Sequence, residues 1–453
     1  MTKKMIPAND ENTLAAFKKI VELPASTYVN TTPVMRLGGV DLMMWDVVKA
    51  ALAARLNTGL GGGSGGGKSQ LFADVSGLFG NDVTYVLGRN GTDIVDFYRQ
   101  FKFGKLKEAM DKGGDVSQHD IIGVTSRLRR PITLVEEINR AAEIVQNQYF
   151  NVFEGFVEVG GDKFPLGAGK LTTYKDYDGS EIVRSTHYSV GLWTANFGNG
   201  EYGGTVSMDK GLKERSHMII DVDNFYPGRV NPSDLDHILL KSAGEVRLKD
   251  SEGAENRTQH FSDAFNALGQ IGLTPNPEIF GEELFLFRYL IMGLDYVPIP
   301  EAKNSKRMLK EVWPQKVEEQ KFDQSVSNDQ KALYKIVFPA STRSALTMIA
   351  LARSLRAYTV AMDPKASPPV IDSVIEAFKL VAPYGGLINN AHIVKEEFAG
   401  NSYLAAAQTG DFLRTKLLAK VDVMQTIIGQ KSKGEPLMQR QIDECTEEFA
   451  CFK

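Results

Sequence analysis

Short apolar runs alternate with amphipathic stretches along the first half of the chain. Helical spacing of apolar residues is found at Leu14 to Leu23 and at Gln70 to Phe79. Between such stretches, four segments are brief, apolar and close to turn residues, which predicts buried strands: Val83 to Leu87, Pro131 to Val135, Val190 to Ala195 and His217 to Val222. Strands that alternate with helices favour a parallel sheet, so the pattern predicts an α/β core.

The pattern changes beyond about Gly228, where helical periodicity dominates. The clearest helical stretches are Asp234 to Ala243, Gln259 to Leu268, Glu282 to Leu294, Ala345 to Ala361 and Val370 to Val381. Residues 298–330 are charged and contain prolines, which indicates an insertion or a connector. Earlier in the chain, Val157 to Leu166 alternates around Gly160-Gly161, which predicts a hairpin.

Composition and charge narrow the class of protein. The 453 residues include 52 Lys+Arg and 56 Asp+Glu, for a net charge of −4, and 43% hydrophobic residues are typical of a globular protein. The near-neutral balance argues against a dedicated polyanion binder. No apolar run reaches the roughly 18 residues of a membrane span, and the N-terminal segment lacks an apolar stretch. We expect a cytoplasmic protein in which Cys445 and Cys451 are free thiols.

A glycine-rich segment, Gly59 to Ser69, interrupts the apolar pattern. By composition alone it is typical of a flexible linker, but apolar segments flank it on both sides. Residues 62–69 fit G-x-x-x-x-G-K-[S/T], in which glycines let N–H groups surround phosphate oxygens, the lysine neutralises phosphate charge and the serine ligates Mg²⁺. The predicted nucleotide-binding residues are Gly62, Gly63, Ser64, Gly65, Gly66, Gly67, Lys68, Ser69 and Gln70.

Two adjacent carboxylates, Glu136 and Glu137, follow the apolar run Pro131 to Val135. In P-loop nucleoside triphosphatases a strand tip of this kind lies beside the phosphate loop. There the first acid helps to hold Mg²⁺ and the second polarises the attacking water. We therefore predict Ser69 and Glu136 as metal ligands and Glu137 as the catalytic carboxylate. The alternative is a solvent-exposed acidic strand end without function.

Three further polar residues lie where such a site needs them. Asn196 follows a predicted strand and can orient water or contact the γ phosphate, although an asparagine there is equally a turn residue. Arg215 follows later, and Arg343 begins a predicted helix. Arginines complete sites of this class as a finger across a subunit boundary or as a sensor from a lid. None of the three is persuasive in isolation.

Other residues that can carry chemistry have ordinary explanations. The six histidines lack metal-ligand spacing, so we expect surface or core positions. Core packing is expected, rather than base stacking, for four aromatic residues on a helix and a strand: Tyr149, Phe150, Phe153 and Phe156. We expect three lysines to lie on the solvated surface: Lys163, Lys170 and Lys175. The alternative is that they line the pore of a ring and bind an acidic chain or a nucleic acid there.

Seven segments form an ordered set: residues 136–141 (EEINRA), 153–166, 194–196 (TAN), 201–205 (EYGGT), 214–215 (ER), 225–227 (FYP) and 339–346 (PASTRSAL). Together they resemble the motifs of the MoxR group of AAA+ ATPases over roughly residues 38–228 and 335–390. The resemblance implies an α/β P-loop core with a parallel sheet flanked by helices, followed by an all-α lid. It implies these divisions: an N-terminal extension, 1–37; the core, 38–228, with a hairpin near 157–166 and an insertion at 167–188; the lid, 229–395, with an insertion at about 250–330; and a helical tail, 396–453.

The resemblance also implies roles for the candidate residues. Lys68 and Ser69 would bind the phosphates and Mg²⁺; Glu136 would take the metal side, Glu137 the catalytic role, Asn196 the first sensor, Arg215 the trans arginine finger and Arg343 the second sensor. Members of the family assemble as rings, commonly hexamers. Their ATP turnover remodels protein partners, often ones with a von Willebrand A-type domain. We therefore expect ATP and Mg²⁺ as cofactors, a homo-oligomeric ring and a protein client, with no membrane partner.

The sequence departs from the family pattern at four positions. Glu136 replaces the usual Asp, which is expected to slow hydrolysis because the longer side chain changes the reach to the metal-bound water. Ser64 replaces a Pro, Lys213 an apolar residue and Ser216 a Phe. Two other functions stay open: a nucleic-acid motor on the same scaffold, which the charge of −4 counts against, and a nucleotide-stabilised structural ring, which Glu136 and the long insertions motivate.

Overall fold

The secondary structure follows the alternation that the sequence predicts. The computed structural model describes residues 10–29, 31–63, 65–80, 82–91, 93–113, 117, 121–167, 169, 171–175, 181–185, 187–197, 208, 210–224, 232–242, 255–271, 277–292, 296–297, 306–307, 337–338, 340–388, 398 and 400–432. The strands are β1 (Met35–Leu37), β2 (Val40–Leu42), β3 (Thr58–Gly61), β4 (Val83–Leu87), β5 (Arg99–Phe101), β6 (Ile122–Val124), β7 (Ile132–Glu136), β8 (Phe156–Val159), β9 (Asp162–Pro165), β10 (Leu171–Lys175), β11 (Glu181–Ser185), β12 (Val190–Thr194), β13 (Met218–Asp221), β14 (Tyr296–Val297) and β15 (Lys306–Arg307).

The helices include every stretch with clear helical periodicity. They are α1 (Asp10–Val21), α2 (Met44–Ala53), α3 (Lys68–Phe79), α4 (Phe103–Asp111), α5 (Glu143–Phe153), α6 (Lys210–Arg215), α7 (Pro232–Ser242), α8 (Thr258–Ile271), α9 (Pro277–Met292), α10 (Thr342–Met362), α11 (Val370–Val381), α12 (Ser402–Ala419) and α13 (Val421–Ser432). Among the helices in the described part of the chain, none combines the length and the apolar character that a bilayer crossing requires.

Some predicted features lie outside the described residues. They are Ser64, Lys170, residues 201–205, residues 225–227, Pro339, most of residues 298–330, and the end of the chain from 433 with Cys445 and Cys451.

A five-stranded parallel sheet forms the centre of the α/β core. Its strands lie in the order β13-β3-β12-β7-β4, and every neighbouring pair is parallel. The inner strand β12 pairs with β3 on one side and with β7 on the other, so that Trp193 lies opposite both Gly59 and Val135. All residues of β3, β12 and β13 are buried. Burial on both faces explains why these strands are continuous apolar runs instead of alternating ones.

The strand order creates a switch point at the end of β3. From β3 the chain proceeds to β4 at one edge of the sheet, whereas from β12 it proceeds to β13 at the other edge. In open parallel sheets, ligands bind outside the carboxyl ends of the strands at such a point. The first three residues of the glycine-rich segment, 59–61, form part of β3, and residues 62–67 follow that strand directly and therefore lie at this position.

Helix α8 packs against the α/β core. Phe261 is fully buried and its ring centroid lies 5.1 Å from that of Phe79, at the end of α3. Phe265 faces Tyr188 at 6.4 Å, and Arg257 N–H, just before α8, donates to the Leu78 carbonyl at 2.8 Å. The observed boundary of this unit therefore differs from the predicted one at 228, because the apolar face of α8 is buried on α3.

The chain divides into two compact units. The unit with the parallel sheet comprises residues 15–34 and 43–269, and the other comprises residues 1–14, 35–42 and 270–453. The second unit is mostly helical, with α11 packed between α10 and α12. It also includes the small β1–β2 hairpin, in which Gly38 lies against Pro368. The predicted core began at 38, whereas residues 35–42 belong to this helical unit. The fold is thus an α/β core with a parallel sheet flanked by helices, followed by a mostly helical C-terminal region.

Two hairpins lie between α5 and β12. The first, β8–β9, turns at Gly160-Gly161 as the sequence predicts, with Val159 opposite Asp162. The second, β10–β11, falls within the predicted insertion at 167–188 and pairs Leu171 with Ser185. The described strands of the insertion, 171–175 and 181–185, thus pair with each other in a two-stranded antiparallel sheet that is separate from the central one.

Candidate functional site

The glycine-rich loop runs from the end of β3 into the first turn of α3. Gly67 caps the helix with φ 75°, a left-handed conformation that strongly favours glycine. Gly62 has φ 134°, and a Cβ atom there would lie 2.6 Å from Val222 Cγ2, at the end of β13. The loop is therefore fitted against the neighbouring strand end, and its backbone leads into a helix N-terminus, which attracts anions.

Lys68 lies inside this loop and is 8% exposed. Its ammonium donates to the Gly62 carbonyl at 3.0 Å and to the Gly63 carbonyl at 2.6 Å. Burial lowers the pKa of Lys68, and the carboxylates of Asp223, Asp221 and Glu137 partly offset that effect. A cation is thus held among backbone carbonyls, which it can exchange for phosphate oxygens.

The two predicted metal ligands meet. Ser69 Oγ, in the first turn of α3, donates to Glu136 Oε1, at the tip of β7, at 3.0 Å. The other carboxylate oxygen of Glu136 accepts a hydrogen bond from the Tyr85 hydroxyl on β4. Mg²⁺ prefers such hard oxygen donors and usually takes one or two protein ligands together with substrate phosphates. The pair therefore fits a Mg²⁺ ion bound jointly with a nucleotide.

Glu137 lies next to this pair in a strained backbone conformation. Its φ of 53° and ψ of 47° are left-handed, which is uncommon for a residue with a side chain. The backbone N–H of Glu137 donates to Thr194 Oγ1 at 2.9 Å, across from the tip of β12. Its carboxylate accepts from Asn196 Nδ2 at 3.4 Å and pairs with Arg140 Nε at 3.0 Å. The structure thus brings the predicted catalytic carboxylate and the predicted first sensor together.

Asn139 fixes the position of Asn196. Its side-chain amide donates to the Asn196 carbonyl at 2.9 Å and accepts from the Asn196 N–H at 3.3 Å. Asn139 is 4% exposed and lies in the 3₁₀ turn Ile138–Arg140, directly after Glu137. Glu137 and Asn139, the residue that positions Asn196, therefore lie two residues apart at the same turn.

An acidic turn after β13 contacts the start of the loop. Asp223 Oδ2 accepts a hydrogen bond from the Gly63 N–H. Asp221 stabilises the turn, because its carboxylate accepts from the Asp223 N–H at 3.1 Å and from Asn224 Nδ2 at 2.8 Å. The loop therefore has a negative charge at its entrance, close enough to affect Lys68.

Residues 26–28, which precede the first strand of the chain, are hydrogen-bonded to α3. The Asp74 carboxylate, 5% exposed, accepts hydrogen bonds from Ser26 Oγ, from the N–H and hydroxyl of Thr27, and from the N–H of Tyr28. Thr27 Oγ1 also donates to the carbonyl of Gln70 at 3.4 Å. The Tyr28 ring consequently lies beside Gly67, where a Cβ atom would be 3.5 Å from it.

Arg215 has partners outside the loop. Its Nε donates to Glu154 Oε1 at 2.9 Å, its Nη1 donates to the Gly211 carbonyl at 3.2 Å, and its guanidinium lies 4.4 Å from the centre of the Phe150 ring. None of these partners belongs to the phosphate loop of the same chain. This placement is compatible with a finger directed at a neighbouring subunit, a role that stays a prediction.

Arg343 belongs to the helical unit, as the second residue of α10. The hydroxyl of Ser341 caps this helix by accepting from the Ser344 N–H at 3.1 Å. The sequence predicted that Arg343 would begin a helix, and this is confirmed. Its role as a second sensor stays a prediction.

The remaining candidate residues divide between core and surface. Tyr149 and Phe153 are buried and their rings stack at 6.4 Å, as core packing predicts. Phe156 is half-buried, and Lys163 Nζ lies 3.5 Å from the centre of its ring. Lys163 itself is exposed, as predicted.

Four residues of the site were not predicted from the sequence. Tyr85, Asn139, Thr194 and Asp223 contact Glu136, Asn196, Glu137 and Gly63, respectively. Asn139 and Thr194 lie within segments that resemble family motifs, so their proximity to the candidate residues was the available clue. Tyr85 and Asp223 lie near predicted strand ends, but only the strand order shows which partners they meet.

Comparisons with known proteins support the fold. No model of a known protein family matches the sequence, and no curated protein matches it. Among solved structures, the chain is similar to a "putative ATPase" from Cytophaga hutchinsonii, with a TM-score of 0.50 and 12% sequence identity over 87% of this chain and 95% of that one. At this identity the similarity shows a shared fold, and function has to be argued from the site.

Proposed function

We propose that this protein binds ATP with Mg²⁺ through residues 62–70 and hydrolyses it. The observation that carries the proposal is the hydrogen bond of 3.0 Å between Ser69 and Glu136, which joins the predicted metal ligands from α3 and β7. The buried cation Lys68 and the carboxylate of Glu137 complete the set of groups that phosphoryl transfer to water requires. The Cytophaga hutchinsonii protein, described as a "putative ATPase", agrees with this proposal.

Each group would have one task. The N–H groups of the loop and the Lys68 ammonium bind the β and γ phosphates, and Lys68 exchanges the carbonyls of Gly62 and Gly63 for phosphate oxygens. Ser69 and Glu136 would hold Mg²⁺, which would neutralise phosphate charge when bound. Glu137 accepts a proton from the attacking water, and Asn196 orients that water from its position beside Glu137.

We further propose that the ATPase acts as a homo-oligomeric ring of the MoxR type, with six subunits, and remodels a protein client. The ordered motif set supports this proposal. The position of Arg215 at the end of α6 supports it too, because this arginine contacts Glu154 and not the phosphate loop of its own chain. A client with a von Willebrand A-type domain is the first candidate. The net charge of −4 favours a protein client over a nucleic acid.

Nucleotide binding and turnover test the first part. We expect a fluorescent ATP analogue to bind the wild-type protein and to bind the Lys68→Ala variant only weakly, because the variant lacks the ammonium that balances the phosphate charge. Glu137→Gln should retain the affinity and lose about 100-fold or more in turnover, since the general base is removed. The proposal would be disproved if the wild-type protein neither bound nor hydrolysed ATP. It would also be disproved if the Lys68→Ala variant bound and hydrolysed ATP as well as the wild type does.

Assembly and partner class test the second part. Sedimentation with and without ATP should show a nucleotide-dependent ring, which Arg215→Ala should leave intact while turnover falls. Stimulation of turnover by DNA or RNA, with the steep salt dependence of phosphate contacts, would instead favour the nucleic-acid motor. If Glu137→Gln barely altered turnover, the result would favour the nucleotide-stabilised structural ring.

A further inference from the structure

We propose that Tyr85 is a positioning residue for the metal-side carboxylate: it holds Glu136 so that this longer acid presents one oxygen to Ser69 and to Mg²⁺. The inference rests on the proposed ATP and Mg²⁺ site and adds a residue to it. Both oxygens of Glu136 have a partner, Ser69 Oγ at 3.0 Å on one side and the Tyr85 hydroxyl on the other.

The sheet register places Tyr85 for this role. Strands β4 and β7 are parallel, with Leu87 opposite Glu136 and Tyr85 opposite Leu134. Paired residues in a parallel sheet point to the same face, so Tyr85 and Glu136 are diagonal neighbours on one face. A diagonal neighbour is within reach only of a long side chain, and the phenol spans that distance.

Burial in the core does not explain why residue 85 is aromatic. Its side chain is 52% exposed, although it lies on a strand whose neighbours Thr84 and Val86 are buried. An exposed phenol that donates to a carboxylate restricts the rotation of that carboxylate. The restriction matters for a glutamate, since it has one more rotatable bond than an aspartate and would otherwise sample positions away from Ser69.

Tyr85 therefore explains how a glutamate, which is longer and more flexible than an aspartate, can serve at this position. The methylene that lengthens the side chain also carries its second oxygen to the phenol. With an aspartate at this position the carboxylate would withdraw towards β7, and the phenol would lose its partner. The effect of Tyr85 on metal binding should depend on the glutamate.

The experiment is a double-mutant cycle with Mg²⁺ titration as the readout. The variants are Tyr85→Phe, Glu136→Asp and the double variant. The measurement is the Mg²⁺ concentration that gives half-maximal binding of a fluorescent ATP analogue. Tyr85→Phe should raise this concentration about ten-fold, as expected when a group that orients a metal ligand is removed. In the Glu136→Asp background the same change should have less than about a two-fold effect.

A matched control separates positioning from stability. Tyr149→Phe also removes one phenol oxygen, from a buried side chain on α5 whose hydroxyl has no hydrogen-bond partner among the described residues. This variant should leave the Mg²⁺ requirement unchanged. An unchanged requirement in Tyr85→Phe, or the same ten-fold change in both backgrounds, would overturn the role of Tyr85. Wild-type protein that binds no nucleotide at any Mg²⁺ concentration would overturn the proposed function as well, and the two failures are therefore distinguishable.

Discussion

Asn139 and Asn196 hold each other by two hydrogen bonds across the tips of β7 and β12. The amide of Asn139 donates to the Asn196 carbonyl at 2.9 Å and accepts from the Asn196 N–H at 3.3 Å. The side chain of Asn196 is thereby directed to the carboxylate of Glu137 at 3.4 Å. The geometry of the candidate catalytic pair thus depends on a residue that contacts neither phosphate nor water in the proposed mechanism.

Replacing Asn139 with alanine should therefore lower turnover more than it lowers affinity. Without the amide, the backbone of Asn196 loses both contacts, and the water-orienting side chain shifts relative to Glu137. We expect a loss of about ten-fold or more in kcat with little change in affinity for a fluorescent ATP analogue. Asn139→Asp is the matched control, because it keeps the acceptor for the Asn196 N–H and removes the donor. Equal losses in kcat and in affinity would contradict the prediction.

A second prediction concerns the charge at the start of the loop. Asp223 accepts from the Gly63 N–H, and its carboxylate shares the surroundings of Lys68 with the incoming phosphates. Asp223→Asn retains an acceptor for the N–H and removes the repulsion, so it should bind the ATP analogue about three- to ten-fold more tightly. Asp223→Ala loses the acceptor as well and should not show this gain.

Salt distinguishes the electrostatic explanation from a packing effect. The ratio of affinities between wild type and Asp223→Asn should shrink as ionic strength rises, because salt screens the repulsion. An affinity for Asp223→Asn that equals or falls below that of wild type would refute the repulsion.

A third prediction concerns the pH dependence of stability at Lys49. This lysine on α2 is 2% exposed and donates to the carbonyls of Val21 and Leu23 at 3.0 and 2.9 Å. Burial lowers the pKa of Lys49 to about 8, from 10.5. Between these two values the unfolded chain binds more protons than the folded chain, so stability rises with pH in this window and the gain is lost as pH falls towards 8.

Comparison with Lys49→Met isolates this group, because other titrations cancel in the difference. The free energy of unfolding of wild type, measured relative to the variant by chemical denaturation, should increase by about 2 kcal/mol between about pH 7.5 and about pH 10. A difference that stays constant or falls with pH would contradict the shift in pKa.

A fourth prediction concerns the helical unit, where Glu283 on α9 is buried between two arginines of α10. Arg353 Nη2 lies 2.8 Å and Arg356 Nη1 lies 3.1 Å from its carboxylate, and Glu283 is 3% exposed. Glu283→Gln removes a buried counter-charge from two half-buried guanidinium groups and should cost about 3–5 kcal/mol of stability. Asp372→Asn, which breaks the more exposed pair with Arg414, should cost about 1 kcal/mol or less. Equal costs in denaturant unfolding would refute the argument from burial.

Local sequence patterns predicted much of the core. Val83 to Leu87 forms β4 with the predicted bounds, because a short apolar run between turn residues has few other structures available. The meeting of Ser69 with Glu136 was also predictable, since the loop and the acidic tip both follow parallel strands whose carboxyl ends lie at the same edge. The catalytic and sensor roles assigned to Glu137, Asn196, Arg215 and Arg343 stay predictions.

Contacts that depend on strand order were beyond the sequence. Tyr85 meets Glu136 only because β4 lies beside β7, and Asp223 meets Gly63 only because β13 lies beside β3. The predicted core boundary near 228 missed α8 for a related reason. The apolar face of α8 is equally suited to a helical lid and to α3, and only its packing on Phe79 decides between them.

The hydrogen bond between Gly63 and Asp223 joins residues that are 160 positions apart in the chain. A chain synthesised from its N-terminus completes the phosphate loop long before it reaches β13, the strand that carries Asp223 to the loop. A nascent chain that ends before residue 223 has the full loop motif without this attachment. We therefore expect ATP affinity to mature late in biosynthesis, as an outcome of docking the last strand of the sheet.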